Sequence, residues 1–426
     1  MTKIPSETEV VIIGGGVVGI GAAIECAERG IPCVVCEKGT VAGEQSSRNW
    51  GWIRKQGRRP EELPLMLESD RIWRRLAERI EDVGFRVGGV SYFAQSDEEL
   101  QRHIDWMEHA GQYQIETHIL SSAEVDEMTG RTDRRFRGGV RSPTDAYAEP
   151  SRAVPALARY AEAKGAVIAT GTAVRTLMQE GGRVTGVVTE HGPIAAQSVI
   201  LAGGAWSRTF LKNINVRFPQ LGVRSSAMRT SPVAPISTST FGASGASIRP
   251  RLDGGYTVGR ATAARFDLIP AAFEHFRAFL PVMWKRRKMM KLRLGREYFG
   301  PLGHHRWGED DTSPFELVRT LDPAPDQALL TDLFRTARSL YPHLAEAKPV
   351  ESWASLIDVM PDEMPVIDTV ASVPGLVIAS GLSGHGFGLG PGAGALAAQL
   401  ALGRDPIADP LPFRLSRFGP KHAVAA

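Results

Sequence analysis

Cysteine is nearly missing from this chain: its 426 residues carry three, Cys26, Cys33 and Cys36. Cys33 and Cys36 spell C-x-x-C, but residues three apart on a strand point to opposite faces. The pair therefore reads as buried thiols and not as a redox couple, which fits a reducing cytoplasm. Charge of one sign is lacking too. The net charge is +3, so no global field points to nucleic acid. No apolar run approaches the roughly 20 residues of a membrane span. With a first strand expected from about residue 9, there is no room for the apolar core of a secretion signal. His304 and His305 are adjacent, a spacing that does not aim both at one metal, and no acid or cysteine constellation accompanies them, so no metal site is expected. What remains, 43% hydrophobic and 23% charged with 45 glycines, is globular and long enough for two or three units.

The stretch that is there in full runs from Glu9 to Asn49. Val10 to Ile13 is an apolar run short enough for one buried parallel strand. Gly14, Gly16 and Gly19 then form G-x-G-x-x-G, and helical spacing continues to Glu28. Gly30 and Pro32 stop that helix, and Cys33 to Cys36 reads as a second strand ending on Glu37. Each piece has a physical task in holding a dinucleotide. Gly14 permits the tight turn, Gly16 lets a pyrophosphate approach the backbone, and Gly19 lets helix and strand pack closely. The helix N-terminus faces the phosphates, and Glu37 can accept from ribose hydroxyls. An acid there favours a free ribose, hence FAD or NAD and not NADP.

An α/β rhythm recurs further on. A helix is expected over 63–80, a strand over 87–93, helices over 100–113 and 122–128, and a strand over 136–141. Pro150 to Lys164 reads as a helix, and strands follow at 167–169, 173–178, 183–189 (after a Gly181-Gly182 hairpin turn) and 198–201. The last of these runs into Ala202-Gly203-Gly204, small residues that leave space for a ligand at a strand's carboxyl end. From Phe218 to about Tyr341 alternating segments around Asp253-Gly254-Gly255 predict an antiparallel sheet. Leu376 to Ala379 is a strand, followed by a glycine-rich loop from Gly381 to Gly392 and then a small-residue helix. The expected fold is mixed α/β and α+β: a discontinuous Rossmann-like nucleotide domain (1–84, 142–217 and 342–420) with a substrate domain of antiparallel sheet inserted in two pieces (85–141 and 218–341).

Three blocks together resemble the D-amino-acid-oxidase-type family of FAD-dependent oxidoreductases, which includes glycine and sarcosine oxidases and D-amino-acid dehydrogenases. They are Val11 to Lys38 with Ser46 to Asn49, Val187 to Ser207, and Trp353 to Pro391, the last containing Met360-Pro361-Asp362-Glu363-Met364-Pro365 and Gly381-Leu382-Ser383-Gly384-His385-Gly386. The resemblance implies FAD. Gly14, Gly16, Val17, Val18 and Gly19 would hold its pyrophosphate, Glu37 and Lys38 its adenosine end, and Val174 its adenine. Ser46, Ser47, Asn49, Gly51 and Trp52 would line the diphosphate and flavin side, and Ala202, Gly203 and Trp206 the cleft. Gly384, His385, Gly386, Phe387, Gly388 and Leu389 would offer backbone N–H groups and a helix N-terminus to the flavin pyrimidine, which carries negative charge when reduced. That loop has no purpose for NAD, and only one G-x-G-x-x-G is present.

The resemblance also implies the reaction, oxidation of an amine or amino acid (a D-amino acid, an N-alkyl or a cyclic amino acid) to an imine by hydride transfer to flavin N5, with oxygen or a quinone as final acceptor. Such chemistry does not require a Ser-His-Asp set. Relatives acting on glycine or D-amino acids carry a carboxylate-binding arginine after the tryptophan, whereas this chain reads Leu356-Ile357-Asp358-Val359-Met360. Either the carboxylate is held elsewhere or the substrate lacks the usual α-carboxylate; Arg54 is the favoured clamp, set against a solvated or structural arginine, with Arg224, Arg229 and Arg249 as further candidates. Tyr256 is the candidate to orient substrate, set against a sheet-packing tyrosine, and His385 to tune the flavin or a proton path, set against a loop-packing histidine. Between 273 and 299, Phe273, Phe276, Leu280 and Met283 form an apolar stripe and Lys285, Arg286, Arg287, Lys288, Lys291, Arg293 and Arg296 a basic run. This is either a solvated face or a surface for a partner subunit or for the inner face of a membrane. It lacks the aromatic platform of an RNA reader, so no nucleic acid is expected. The alternative to an amine oxidase or dehydrogenase is a flavin-binding electron-transfer subunit of a multi-subunit amine dehydrogenase.

Overall fold

The computed structural model describes residues 4–261, 264–287, 290–303 and 306–419. Lys288, His304 and His305 lie outside the described residues, as do the side chains of Lys291 and Arg296. Two large sheets organise the rest. The first has eight strands, with a parallel centre in the order Leu376–Ser380, Gly192–Leu201, Glu7–Ile13, Cys33–Glu37, Val167–Thr170. Its strands are buried on both sides, which is why they read as unbroken apolar runs. Val10, Ile12, Cys33 and Val35 pack into one core, and Val11, Val34 and Cys36 into another. Cys33 and Cys36 thus point to opposite faces, and all three cysteines are free and buried. The strand Gly192–Leu201 is shared along its length. Its first half pairs antiparallel with Arg183–Thr189, and its second half pairs parallel with Leu376–Ser380.

Two helices cover one face of this sheet and touch at glycines. The first, Val17–Glu28, and the C-terminal one, Gly386–Ala401, approach so closely that a Cβ on Gly394 would lie 2.3 Å from the Val18 carbonyl oxygen and 2.4 Å from the Ala22 nitrogen. Here the structure corrects the expected loop over Gly381 to Gly392: the helix already begins at Gly386 and absorbs Gly388, Gly390, Pro391 and Gly392. Close packing against the first helix outweighs poor intrinsic propensity.

The second sheet has ten strands. At its centre Leu221–Thr230 pairs antiparallel with Tyr256–Gly259 on one side and Pro349–Val359 on the other. Ser247–Pro250 and Tyr256–Gly259 form the expected antiparallel pair around Asp253. Pro349–Val359 lies within the stretch assigned above to the nucleotide domain, yet it joins the second sheet and ends beside the Gly381 turn. One face of this sheet packs on the helix Gln327–Leu340 through Met228, Phe241, Ile248, Tyr256 and Val258. Side chains alternate along a strand, so Leu221, Val223, Ser225, Ala227 and Ser247 face the other way and help line a cavity.

Candidate active site

A cavity of about 530 Å³ runs from the turn after the first strand to the second sheet. At one end Gly14 has φ +108°, and a Cβ there would lie 2.5 Å from the Ala202 carbonyl oxygen. The backbone can therefore turn only with glycine. Gly19 does not line the cavity: a Cβ on it would stand 2.0 Å from the Gly14 oxygen, so its task is close packing. Glu37 accepts from Gly15 N and Gly39 N, both at 2.7 Å. Burial pushes its carboxyl up, and these two amides oppose the push. Each carboxylate oxygen keeps lone pairs free for ribose hydroxyls. Gly16 is the N-cap residue of the first helix, with no side chain to cap it, and Ser46 Oγ accepts from Val17 N at 2.9 Å.

Lys38 Nζ reaches Glu44 Oε1 at 2.7 Å and the carbonyl oxygens of Val318 and Arg319 at 2.9 and 3.0 Å, and it lies 4.6 Å from the Trp206 ring. It ties this end of the cavity to the 318–321 segment. Glu44, which carries no motif, is the hub: it also accepts from Trp206 Nε1 at 3.1 Å and from Leu321 N at 2.9 Å. Asn49, Trp52, Val18, Val174, Ala202, Gly203 and Trp206 line the cavity together with Gly14, Gly16, Val17, Glu37, Lys38 and Ser46. Ser47, Gly51 and Leu389 do not. Ser47 Oγ donates to the Glu44 oxygen, Gly51 forms a turn with φ +80° against Ala148, and Leu389 is fully buried in the helix core.

Gly384, His385, Gly386, Phe387 and Gly388 line the far end, at the N-terminus of the C-terminal helix. The first amides of a helix have no internal acceptor and carry its positive end. His385 Nδ1 pairs with Glu62 Oε1 at 3.0 Å. Burial pushes His385 down, as does the nearby Arg58, while Glu62 opposes both. Burial alone would push the Glu62 carboxyl up, but His385 and Arg58 outweigh it and hold it below the usual range. Asp358, also on the wall, accepts from Gly381 N at 2.7 Å and Gln220 Nε2 at 3.3 Å, and burial pushes it up to about 6.

Arg54 lines the cavity, with Nη1 donating to the Gln56 carbonyl and its guanidinium 5.6 Å from the Tyr92 ring. The other candidate clamps are engaged elsewhere. Arg224 pairs with Asp267 at 2.8 Å, Arg229 with Glu351 at 2.7 Å, and Arg249 with Glu149 at 2.9 Å, and none of the three lines the cavity. Tyr256 is 2% exposed and packs in the core under Gln327–Leu340, so it cannot orient a molecule in the cavity. The register fixes this: it shares a face with Val258, away from Ser247 and Ala227. No motif pointed to Arg58, Glu62 or Tyr92, and Asp358 stood out only for the missing arginine; their place in or behind the wall is a property of the fold. Among the described residues no group of His, Cys, Asp or Glu is arranged to hold a metal.

The cradle fits FAD on the structure's own terms. A turn with no room for a side chain, two helix N-termini and a buried ribose-side acid line one continuous space. The chain matches the family model described as FAD dependent oxidoreductase over residues 9–400 and belongs to that family. An L-amino acid deaminase from Proteus myxofaciens, solved in complex with anthranilate, superposes with a TM-score of 0.92 at 32% identity, over 98% of this chain and 95% of its own. A glycine oxidase from Geobacillus kaustophilus is 24% identical over 96% of this chain and 97% of its own length. Another, from Pseudomonas aeruginosa, is 28% identical, and this chain spans about half (52%) of its length. The expectation of an FAD-dependent enzyme acting on the C–N bond of an amine or amino acid is borne out.

Proposed function

We propose that the substrate is an amino acid whose carboxylate is held by Arg54 and whose nitrogen-bearing carbon faces the flavin, in the space between Gly384–Gly388 and the second sheet. The observation that carries this reading is a charge imbalance. Among the described residues six arginines line the cavity, and Arg48, Arg260, Arg286 and Arg319 each pair with an acid. Among the described residues, Arg54 and Arg58 alone of these six have no carboxylate partner. A guanidinium facing an enclosed space without one is suited to bidentate recognition of a carboxylate. Anthranilate, seen in the Proteus myxofaciens deaminase, carries such a carboxylate beside its amine.

When bound, FAD accepts the hydride from the carbon that carries nitrogen. The chain's own residues do the rest. Gly14, Gly16 and Glu37 fix the dinucleotide end, and Arg54 sets the carboxylate and thereby the position of the amine. Trp50, Trp52 and Tyr92 form an aromatic wall that excludes water. His385, held down by burial and with Nδ1 on Glu62, has Nε2 left to accept a proton. The same cavity is also lined by Val223 and Ser225 of the second sheet and by Phe279, a wall that would face a substrate and that a pure electron-transfer subunit would not need. The stretches 1–84, 142–217 and most of 342–420 then act as the FAD-binding domain, with the second sheet roofing the substrate. The acceptor is oxygen or a quinone. The enzyme works in the cytoplasm, where its free thiols stay reduced, and the outer face of Phe276–Arg286 rests on anionic lipid.

Anaerobic mixing of the purified yellow protein with a panel of amino acids tests the reading. Bleaching of the flavin by carboxylate-bearing amines, and not by their decarboxylated counterparts, is expected. Arg54→Gln should weaken substrate and anthranilate binding by about tenfold to a hundredfold, the loss expected for a charge-assisted pair. Equal bleaching by decarboxylated amines would sink the reading. Admission of air then separates an oxidase from a dehydrogenase.

A further inference from the structure

Arg58 is the buried cation that the reaction above does not use. It is 3% exposed, and among the described residues no carboxylate lies within ion-pair distance of it. Its Nε donates to the Arg54 carbonyl at 3.2 Å and its Nη2 to the His385 carbonyl at 3.4 Å, while Nη1 donates to nothing. It lies against the first turn of the C-terminal helix, where a Cβ on Gly388 would come 3.4 Å from Nη2. Three sources of positive potential therefore meet at one place: two guanidiniums and a helix N-terminus. Among the described residues two buried acids act on Arg58, Glu62 and Asp145; Glu62 Oε1 is taken by His385 while its Oε2 has no partner, and Asp145 pairs with Lys55 at 3.0 Å. Burial and the Arg54 charge pull Arg58 down to about 10, which still leaves it ionised at neutral pH. A buried charge of this kind is costly unless an opposite charge arrives.

We infer that Arg58 is the counter-charge for reduced flavin, its free Nη1 reserved for the negative charge that two-electron reduction places on the pyrimidine ring beside Gly386–Gly388. The inference rests on the FAD reading and goes beyond it by separating two arginines four residues apart: Arg54 serves the substrate and Arg58 the cofactor. Both would see an anion, so the test must tell the two anions apart.

The midpoint potential of bound FAD and the Kd of anthranilate (read from flavin absorption) are measured on wild type, Arg58→Lys and Arg58→Gln. The expected result is a lower potential in Arg58→Gln, by about 30 mV for each tenfold lost in the reduction equilibrium. Arg58→Lys should recover most of it, and anthranilate Kd should stay within about twofold throughout. An unchanged potential in yellow Arg58→Gln overturns the inference. So does an anthranilate Kd weakened tenfold at constant potential, which would make Arg58 a second carboxylate clamp. If Arg58→Gln does not fold with FAD, Arg58→Lys decides alone: an ammonium in place of the guanidinium should lower the potential by a small but measurable step and leave anthranilate unaffected, and an unchanged potential with weakened anthranilate is fatal. A wild-type protein that cannot bind FAD would instead sink the reading beneath.

Discussion

Asp358 lies in the segment after Trp353 that has no arginine to bind a carboxylate, and its surroundings explain what the acid does there. It is buried, without an ion-pair partner among the described residues, and it holds the Gly381 amide that opens the turn before the C-terminal helix. Burial raises its folded pKa from 3.8 to about 6. The protonated form is thus favoured in the folded state, so its stabilisation is complete below the unfolded value and is lost as pH rises through about 6. Wild type should lose about 2 kcal/mol between pH 4 and pH 7.5 from this group, most of the roughly 3 kcal/mol that the whole shift carries at 1.36 kcal/mol per unit. Asp358→Asn keeps an oxygen for Gly381 N and removes the titration. Urea unfolding of both proteins across that range should show the variant gaining on wild type as pH rises; parallel curves would show that Asp358 does not titrate there. The same scale shows what a sequence conceals. Arg54 was legible because it follows a recognisable block, while Arg58 looked like one more charge in Arg58-Arg59-Pro60-Glu61-Glu62. Tyr256 looked available because strand parity is undecided until one knows which face a helix covers.

At the level of elements, the cofactor cradle depends on how closely two helices lie. Gly394 meets the Val18 carbonyl and Gly21 meets Pro391, where a Cβ would lie 2.9 Å from its Cα. Both helices present their N-termini to the cavity, so a shift of one against the other misaligns both anion sites. Gly394→Ala places a methyl against backbone that cannot swing aside. A loss of about 1–3 kcal/mol is expected from overpacking, with FAD released more readily. Gly111→Ala is the control: it lies in the helix Asp97–Gln112 with nothing within 4 Å of the added carbon, and should be neutral or stabilise by about 0.5–1 kcal/mol. Thermal unfolding and FAD retention on gel filtration read both. If Gly394→Ala behaves like Gly111→Ala, the crossing is looser than described. The small-residue composition of the C-terminal helix was visible in the sequence; its start was not, because Gly386 to Gly392 forms helix only when the first helix is already there to pack on.

Across the whole molecule, three blocks far apart in sequence line one cavity, and that convergence was legible from strand and glycine patterns. The role of the 273–299 segment was not, because its two faces do different things. Phe279, Val282 and Met283 of the helix Phe276–Arg286 line the cavity, whereas Phe273, Phe276, Leu280 and Trp284 are exposed, at 61%, 48%, 49% and 68%. Among the described residues, seven of the fourteen exposed large hydrophobic side chains fall in 273–299. Clustering on that scale marks an interaction surface. Exposed Arg277, Lys285, Arg287 and Arg293 surround them, and Arg287 lies 4.5 Å from the Trp284 ring. Apolar anchors ringed by cations match an anionic lipid surface, with the helix lying in the interface. Among the described residues no helix is long and apolar enough to cross a membrane, so attachment would be peripheral and salt-sensitive. The protein should sediment with phosphatidylglycerol vesicles at low salt, with a blue shift in tryptophan fluorescence, and should remain in solution with phosphatidylcholine. Trp284→Ala with Leu280→Ser should reduce binding at least tenfold, and Lys285→Glu with Arg287→Glu should flatten its salt dependence. A protein that stays in the supernatant with both lipids would refute the docking. One that docks has a lipid surface on the outside of the helix whose inside walls the cavity.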